Sequence, residues 1–197
     1  MAKQVERSET TRRAIVTKAR ELVGSQGFHA TTMDGIADAI GMAKGAVYHH
    51  FRTKEAVFEA VFEEASDELV RRVRAAIRDE SDALTAMVKG TRAYFDACAQ
   101  PGFAQIILRE GPAVLGWQRW RELDEKYFGR SIPEALKRAM DSGLIARRPV
   151  EPLARLLVGA ITEAAAACAA SDNPAAVGRR HADAMQALLE GLRVRSR

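Results

Sequence analysis

Cysteine is scarce in this chain, two in 197 residues. Cys98 and Cys168 both fall inside helical apolar stripes without metal-ligand spacing, so neither a disulfide framework nor a thiolate metal site is expected. Histidine is nearly as rare. His29, His49, His50 and His181 have no carboxylate or cysteine cluster around them, which argues against a metal centre of any kind. No run of eighteen apolar residues occurs, and the N-terminus MAKQVERSETTRR is polar rather than a signal peptide. The expectation is therefore a cytoplasmic protein with no membrane partner. Also missing are a glycine-rich phosphate loop, a serine elbow and an HExxH helix, and no spacing pairs carboxylates such as Glu110 and Asp124 for acid–base work. These absences point away from an enzyme and from any cofactor. Two-residue alternation and repeats of fixed period are absent too, which leaves an all-α chain with 47% hydrophobic residues, ample for a real core.

What is present is concentrated between Thr31 and Lys54, TTMDGIADAIGMAKGAVYHHFRTK. Thr32 is placed to cap a short helix whose apolar face is Ile36, Ala37 and Ile40. Gly41 ends it, because only glycine takes up the left-handed backbone of such a corner without steric cost, and Met42, Ala46 and Val47 begin a second apolar face at once. Helices this short need a third to pack on. Ile15, Ala19, Leu22 and Val23 supply an amphipathic helix just upstream. The second short helix keeps Lys44, Gly45, Tyr48, His49 and His50 off its core face, and such side chains reach phosphates and base edges in a helix-turn-helix DNA reader.

Charge supports this reading independently. Residues 1–54 carry nine Lys or Arg against five Asp or Glu, while the remainder carries twenty-one of each, so the whole formal charge of +4 lies with the DNA-reading segment. A positive field on the docking face is what counterion release from a duplex requires. Lys3, Arg7, Arg12 and Arg13 fit either a basic arm on DNA or a solvated tail.

In the order Thr31-Thr32, Ile36-Ala37, Gly41-Met42, Lys44-Gly45, Tyr48 with Phe51, and Lys54-Glu55, the segment resembles the N-terminal motif of the TetR family of bacterial transcriptional regulators. The resemblance covers roughly residues 10 to 60. It departs at Ala43, where the family usually opens the recognition helix with Ser or Thr, so the hydroxyl contact usual there is absent or moved. The resemblance implies a three-helix DNA-binding domain over residues 1–53 and a helical effector-binding and dimerisation domain over 54–197. It implies DNA contacts from Thr31, Thr32, Ala43, Lys44, Gly45, Tyr48, His49 and Lys54. Its expected partners are a palindromic operator, a small-molecule effector and a second copy of the chain. The protein is read as a homodimeric repressor released by a mostly apolar ligand, or else as a scaffold or activator of the same fold that recruits a protein without sensing a ligand.

Downstream, Thr53 caps a long helix with the stripe Phe58, Val61, Phe62, Ala65, Leu69, Val73 and Ala76, and a second helix follows over Leu84 to Cys98. Pro101-Gly102 breaks the chain, and a short helix from Phe103 to Arg109 is expected to stop at Gly111-Pro112. Another from about Trp117 through Tyr127 is interrupted near Gly129 and Pro133, resumes to Met140, and closes at Ser142-Gly143. The last two helices start after Pro149 and after Asn173-Pro174. Their stripes, Leu153, Leu156, Leu157, Ala160, Ile161, Ala164 and Ala167 on one, Val177, Ala184, Met185, Leu188 and Leu192 on the other, suit a four-helix bundle between two subunits. The family resemblance implies an effector pocket among the central helices, with Phe62, Met87, Thr91, Phe95, Phe103, Ile107, Trp117, Trp120, Asp124, Tyr127 and Glu163 as candidates. The two tryptophans combine a large ring with a polar N–H. Glu163 sits in an apolar run, where a buried carboxylate needs a partner or a ligand.

Overall fold

The computed structural model describes the backbone of residues 2–194 and the side chains of 5–100 and 102–194; Lys3 lies outside the described side chains. Ten α-helices follow one another among the described residues: α1 (Ala2–Ala30), α2 (Met33–Ala39), α3 (Lys44–His50), α4 (Lys54–Ile77), α5 (Ala83–Cys98), α6 (Pro101–Phe103), α7 (Gly111–Phe128), α8 (Ser131–Asp141), α9 (Val150–Ala169) and α10 (Pro174–Gly191). A π-helical stretch, Ala104–Glu110, joins α6 to α7. The described residues contain no strand, only one isolated bridge between Ile145 and Arg193.

The caps explain the boundaries. Thr32 Oγ1 accepts the Gly35 N–H at 2.9 Å and starts α2, and Thr53 Oγ1 accepts the Ala56 N–H at 3.1 Å at the head of α4. Asn173 caps α10 through the Ala176 N–H at 3.1 Å, with Pro174 in the first turn where its missing donor costs nothing. Gly41, at φ +66°, makes the corner between α2 and α3, and Gly143, at φ +73°, ends α8. The expected stop at Gly111-Pro112 is corrected. Gly111 has right-handed angles, φ −49° and ψ −61°, and the helical path runs through it into α7. What requires glycine there is space: a Cβ would come within 2.7 Å of the Phe62 ring. The break lies at Gly116, φ +74°, one residue before Trp117.

Packing divides the chain into two compact units, residues 1–65 with 101–120, and residues 66–100 with 121–197. In the first, Ile15, Val16, Ala19 and Val23 of α1 are buried, as are Ile36, Ala37, Val47, Phe51, Val57, Phe58 and Val61. The short helices α2 and α3 thus obtain from this core the stability that their length denies them. In the second unit α5, α8, α9 and α10 share a core of Leu84, Met87, Leu136, Ala139, Met140, Leu157, Met185 and Leu189. Among the described residues α9 alone is long and apolar enough to cross a membrane. Ala154, Leu157, Ala164, Ala165 and Cys168 on it are buried, and most of its other side chains are exposed or half-buried.

Asp82 is a hinge point of the second unit's stability. It caps α5 through the Thr85 N–H at 2.8 Å and receives both guanidinium nitrogens of Arg193, at 2.9 and 3.1 Å. The Arg193 pairing first, and the Thr85 N–H second, hold its carboxyl at about 2, below the ordinary 3.8. A depressed carboxyl stabilises the fold above its unfolded value and ceases to do so as the pH falls through the folded one. Stability contributed by Asp82 is therefore expected to be full above pH 4 and to vanish towards pH 2. Asp82→Ala should lower stability at neutral pH by about 1 kcal/mol, a typical lost cap, since the partly exposed ion pair adds little. The difference from the parent should shrink in acid-titrated thermal melts.

Candidate functional site

Helix α3 begins without a side-chain cap, since Ala43, in extended conformation, has nothing to offer the free N–H groups. Val47 is completely buried and pins the helix to the core, which turns Lys44, Gly45, Tyr48 and His49 outward. Tyr48 is 48% exposed, unusual for a large ring without a partner surface. Lys44 Nζ pairs with the Asp34 carboxylate of α2, and that hydrogen bond raises the ammonium's pKa above its ordinary value. Both side chains are exposed, so the pair is readily exchanged for a phosphate. Gly45 has helical backbone, and a Cβ there would meet nothing within 4 Å. Neither conformation nor internal packing calls for glycine at this position.

Thr32 is exposed while capping α2, at the edge of the same surface. Two of the expected contact residues are engaged within the chain. Thr31 is 1% exposed and its hydroxyl donates to the Gly27 carbonyl at 2.9 Å, so it closes a turn and does not face outward. Lys54 donates to the Phe28 carbonyl at 2.9 Å and lies 4.1 Å over the Phe28 ring, holding the end of α1. The basic arm, by contrast, extends the surface. α1 is already helical from Ala2, Arg12 stacks 5.1 Å over Phe51, and Arg7, Ser8 and Thr11 join His49 and His50 around an open groove of about 470 Å³ that Val5 and Glu9 complete.

The effector candidates divide between the two units. Phe62, Phe103, Ile107, Trp117 and Trp120 belong to the first, and Met87, Thr91, Phe95, Asp124, Tyr127 and Glu163 to the second. Phe62, Phe103 and Ile107 are buried, as are Met87, Thr91 and Phe95. The Thr91 hydroxyl donates to the Met87 carbonyl at 2.8 Å. Trp117 is 66% exposed and stacks on half-buried Trp120 with ring centroids 5.2 Å apart. Tyr127 is half-buried. Glu163 is exposed, which corrects the expectation of a buried carboxylate: the apolar run around it faces inward at Ala164 and Ala165, and Glu163 lies on the other side of α9. Asp124 keeps its interest. Burial raises its carboxyl above the ordinary range, Arg121 opposes the shift and Glu125 adds to it. Tyr94, beside Cys98, is likewise pushed up well above 10 by burial, and the Cys98 thiol to about 12, so both stay neutral. A cleft of about 70 Å³ in the second unit is lined by Leu84, Thr85, Val88, Gln186, Leu189, Glu190 and Arg193. Neither it nor the open groove is lined by any of the eleven candidates.

Ser66 stands apart from the eleven candidates. On α4 it is completely buried, and its hydroxyl has no hydrogen-bond partner. Native proteins rarely leave such a group unsatisfied without a reason. A serine in a helical stripe carries no signal of this in the sequence.

Comparison with known proteins places these features. Residues 15–61 match the profile of bacterial regulatory proteins of the tetR family, and residues 84–192 that of the tetracyclin repressor-like C-terminal domain. The HTH-type transcriptional activator FasR of Mycolicibacterium smegmatis is 35% identical over 82 residues, 42% of this chain and 37% of that protein, so the match spans little more than a third of the relative. A TetR-family transcriptional regulator from Pectobacterium atrosepticum superposes with a TM-score of 0.86 at 28% identity over 98% of both chains. The transcriptional regulator FadR of Bacillus subtilis, solved in complex with stearoyl-CoA, shares the fold at TM-score 0.73 and 20% identity, over 88% of this chain and 96% of that one.

Proposed function

Since the chain belongs to the TetR family of bacterial transcriptional regulators, we propose that it is a cytoplasmic homodimeric repressor that reads a palindromic operator with α3 and leaves it when a small, mostly apolar molecule binds. Residues 1–53 carry the reading and 54–197 the sensing and dimerisation. The observation that carries the DNA assignment is Gly45, an outward-facing helical glycine that nothing inside the chain explains. Lys44, Tyr48, His49 and Thr32 surround it, and Arg7 with His50 continues the surface towards flanking phosphates. Phosphate contacts set register, whereas Tyr48 and His49 reach base edges.

Gly45→Ala separates the two roles of this position. In a helix the change should raise thermal stability by about 1 kcal/mol. The added methyl occupies the space the duplex needs, so operator affinity should fall. Melting curves and fluorescence anisotropy on the same preparation check both signs; a variant that binds as tightly as the parent would remove this reason for the glycine.

Dimerisation rests on α9 and α10, where Leu156 and Leu188 are 73% and 60% exposed in the single chain. Two large aliphatic side chains on neighbouring helices suit the cover of a second copy. Sensing rests on Ser66 and Asp124, a buried hydroxyl without a partner and a carboxyl made reluctant to ionise, which suit a ligand with one or two polar atoms on an apolar body. The alternative is a scaffold or activator of the same fold that recruits a protein without sensing a ligand. Tryptophan fluorescence against a panel of apolar and cationic compounds, followed by operator release with each hit, tests the sensor: a saturable change with release supports it, and release by none transfers the case to the scaffold.

A further inference from the structure

The end of α1 is held in an unusual way. Gly27, at φ +82° and ψ +166°, breaks the helix and leaves the Phe28 N–H without a helical acceptor. Phe28 is 6% exposed, so water does not satisfy that group. Glu110 does: its Oε1 accepts the Phe28 N–H at 3.0 Å from 82 residues away. The same oxygen accepts the Gln105 side-chain amide at 2.8 Å. Glycine is needed at position 27 on a second count, because a Cβ would lie 3.1 Å from that oxygen. The following peptide is held as well, by Lys54 on the Phe28 carbonyl at 2.9 Å. The ring packs edge-on against Phe58 at 5.3 Å.

The turn so fixed leads directly into the reading helices. Thr31 closes it, with its N–H on the Phe28 carbonyl at 3.2 Å and its hydroxyl on the Gly27 carbonyl at 2.9 Å, and Thr32 caps α2 at the next residue. Glu110 and Gln105 meet because the stretch Ala104–Glu110 is π-helical, and its i→i+5 winding brings residues five apart onto the same face. In an α-helix, at 3.6 residues per turn, they would point about 140° apart. The winding and the contact therefore require each other.

We propose that Glu110 is a positioning residue for DNA reading, a latch by which the π-helical stretch holds the turn at Phe28 and with it the placement of α2 and α3. The inference rests on the assignment of α3 as the DNA reader. A change of winding in Ala104–Glu110 from π to α would separate Glu110 from Gln105 and release the Phe28 N–H, so the latch opens without any movement inside α2 or α3 themselves.

The test uses the full-length protein and the duplex that the parent selects from a randomised pool. Glu110→Ala should speed hydrogen exchange of the Phe28 amide and weaken binding to the selected duplex, each by about tenfold, the scale set by one charge-assisted hydrogen bond. Affinity for a scrambled duplex, which needs only the charged face, should stay as in the parent. Glu110→Gln keeps an oxygen acceptor at the same place and should restore both readouts. Unchanged binding or unchanged Phe28 exchange in Glu110→Ala overturns the proposal, and so does a Glu110→Gln variant as impaired as Glu110→Ala. Should Glu110→Ala fail to fold, Gln105→Leu carries the test: it withdraws the amide that steadies the carboxylate, and parental exchange and binding in it overturn the latch. A Tyr48→Ala variant that binds the selected duplex like the parent removes instead the DNA-reading assignment beneath it.

Discussion

Leu188→Arg is expected to turn the dimer into folded monomers and to weaken operator binding by at least about a hundredfold, because one recognition helix then docks without the second half-site. The side chain is 60% exposed in the single chain, so the substitution leaves the subunit's own core untouched. In a dimer the same guanidinium would be buried without a partner, which costs several kcal/mol. Leu156 on α9, 73% exposed, offers an equivalent position. Ala164 does not: it is 5% exposed within its own subunit, so a charge there would unfold the chain before it separated two chains. Sedimentation of parent and variant at micromolar concentration reads the result. Thermal melting within a few degrees of the parent confirms an intact subunit, and a Leu188→Arg dimer as stable as the parent's would place the interface elsewhere.

Tyr48→Ala should produce the other large effect, a loss of roughly 1–3 kcal/mol in operator binding, about five- to 150-fold, with the protein still folded and dimeric. Tyr48 is half exposed on α3 while Val47 beside it is completely buried, so the ring can be removed without opening the core. Lys44→Ala should behave differently. It removes one phosphate contact, so its effect should be similar on all duplexes and should lower the salt dependence of binding by about one unit of slope. Salt titrations on a selected and a scrambled duplex distinguish the two residues; parental curves for both variants would move the docking face away from α3.

The sequence made the reading head legible because its determinants are local. Thr32, Gly41 and the apolar residues act within a few residues of one another, and the structure has the cap, the positive φ and buried Ile36, Ala37 and Val47 where that pattern puts them, while Ile40, Met42 and Ala46 are half-buried. Prolines and Asn173 marked the starts of α9 and α10 for the same reason. The features that escaped depend on partners distant in sequence. Glycine at 111 reads as a stop, yet it is there to let Phe62 approach. Glu163 lies in an apolar run but faces outward, because composition does not say which side of a helix a residue occupies. Glu110 looks like any surface carboxylate until Phe28, 82 residues earlier, is brought to it. The π winding that aims it has no periodic signature, since one extra residue per turn over seven residues shifts the apolar pattern too little to notice.

Selection of duplexes from a randomised pool, followed by sequencing of the bound fraction, tests the central claim most directly. A two-fold dimer with its recognition helices about 34 Å apart should enrich an inverted repeat whose half-sites are centred about one helical turn apart, and Tyr48→Ala should abolish the enrichment. A pool that stays random, or one that yields a single asymmetric half-site, would contradict the account.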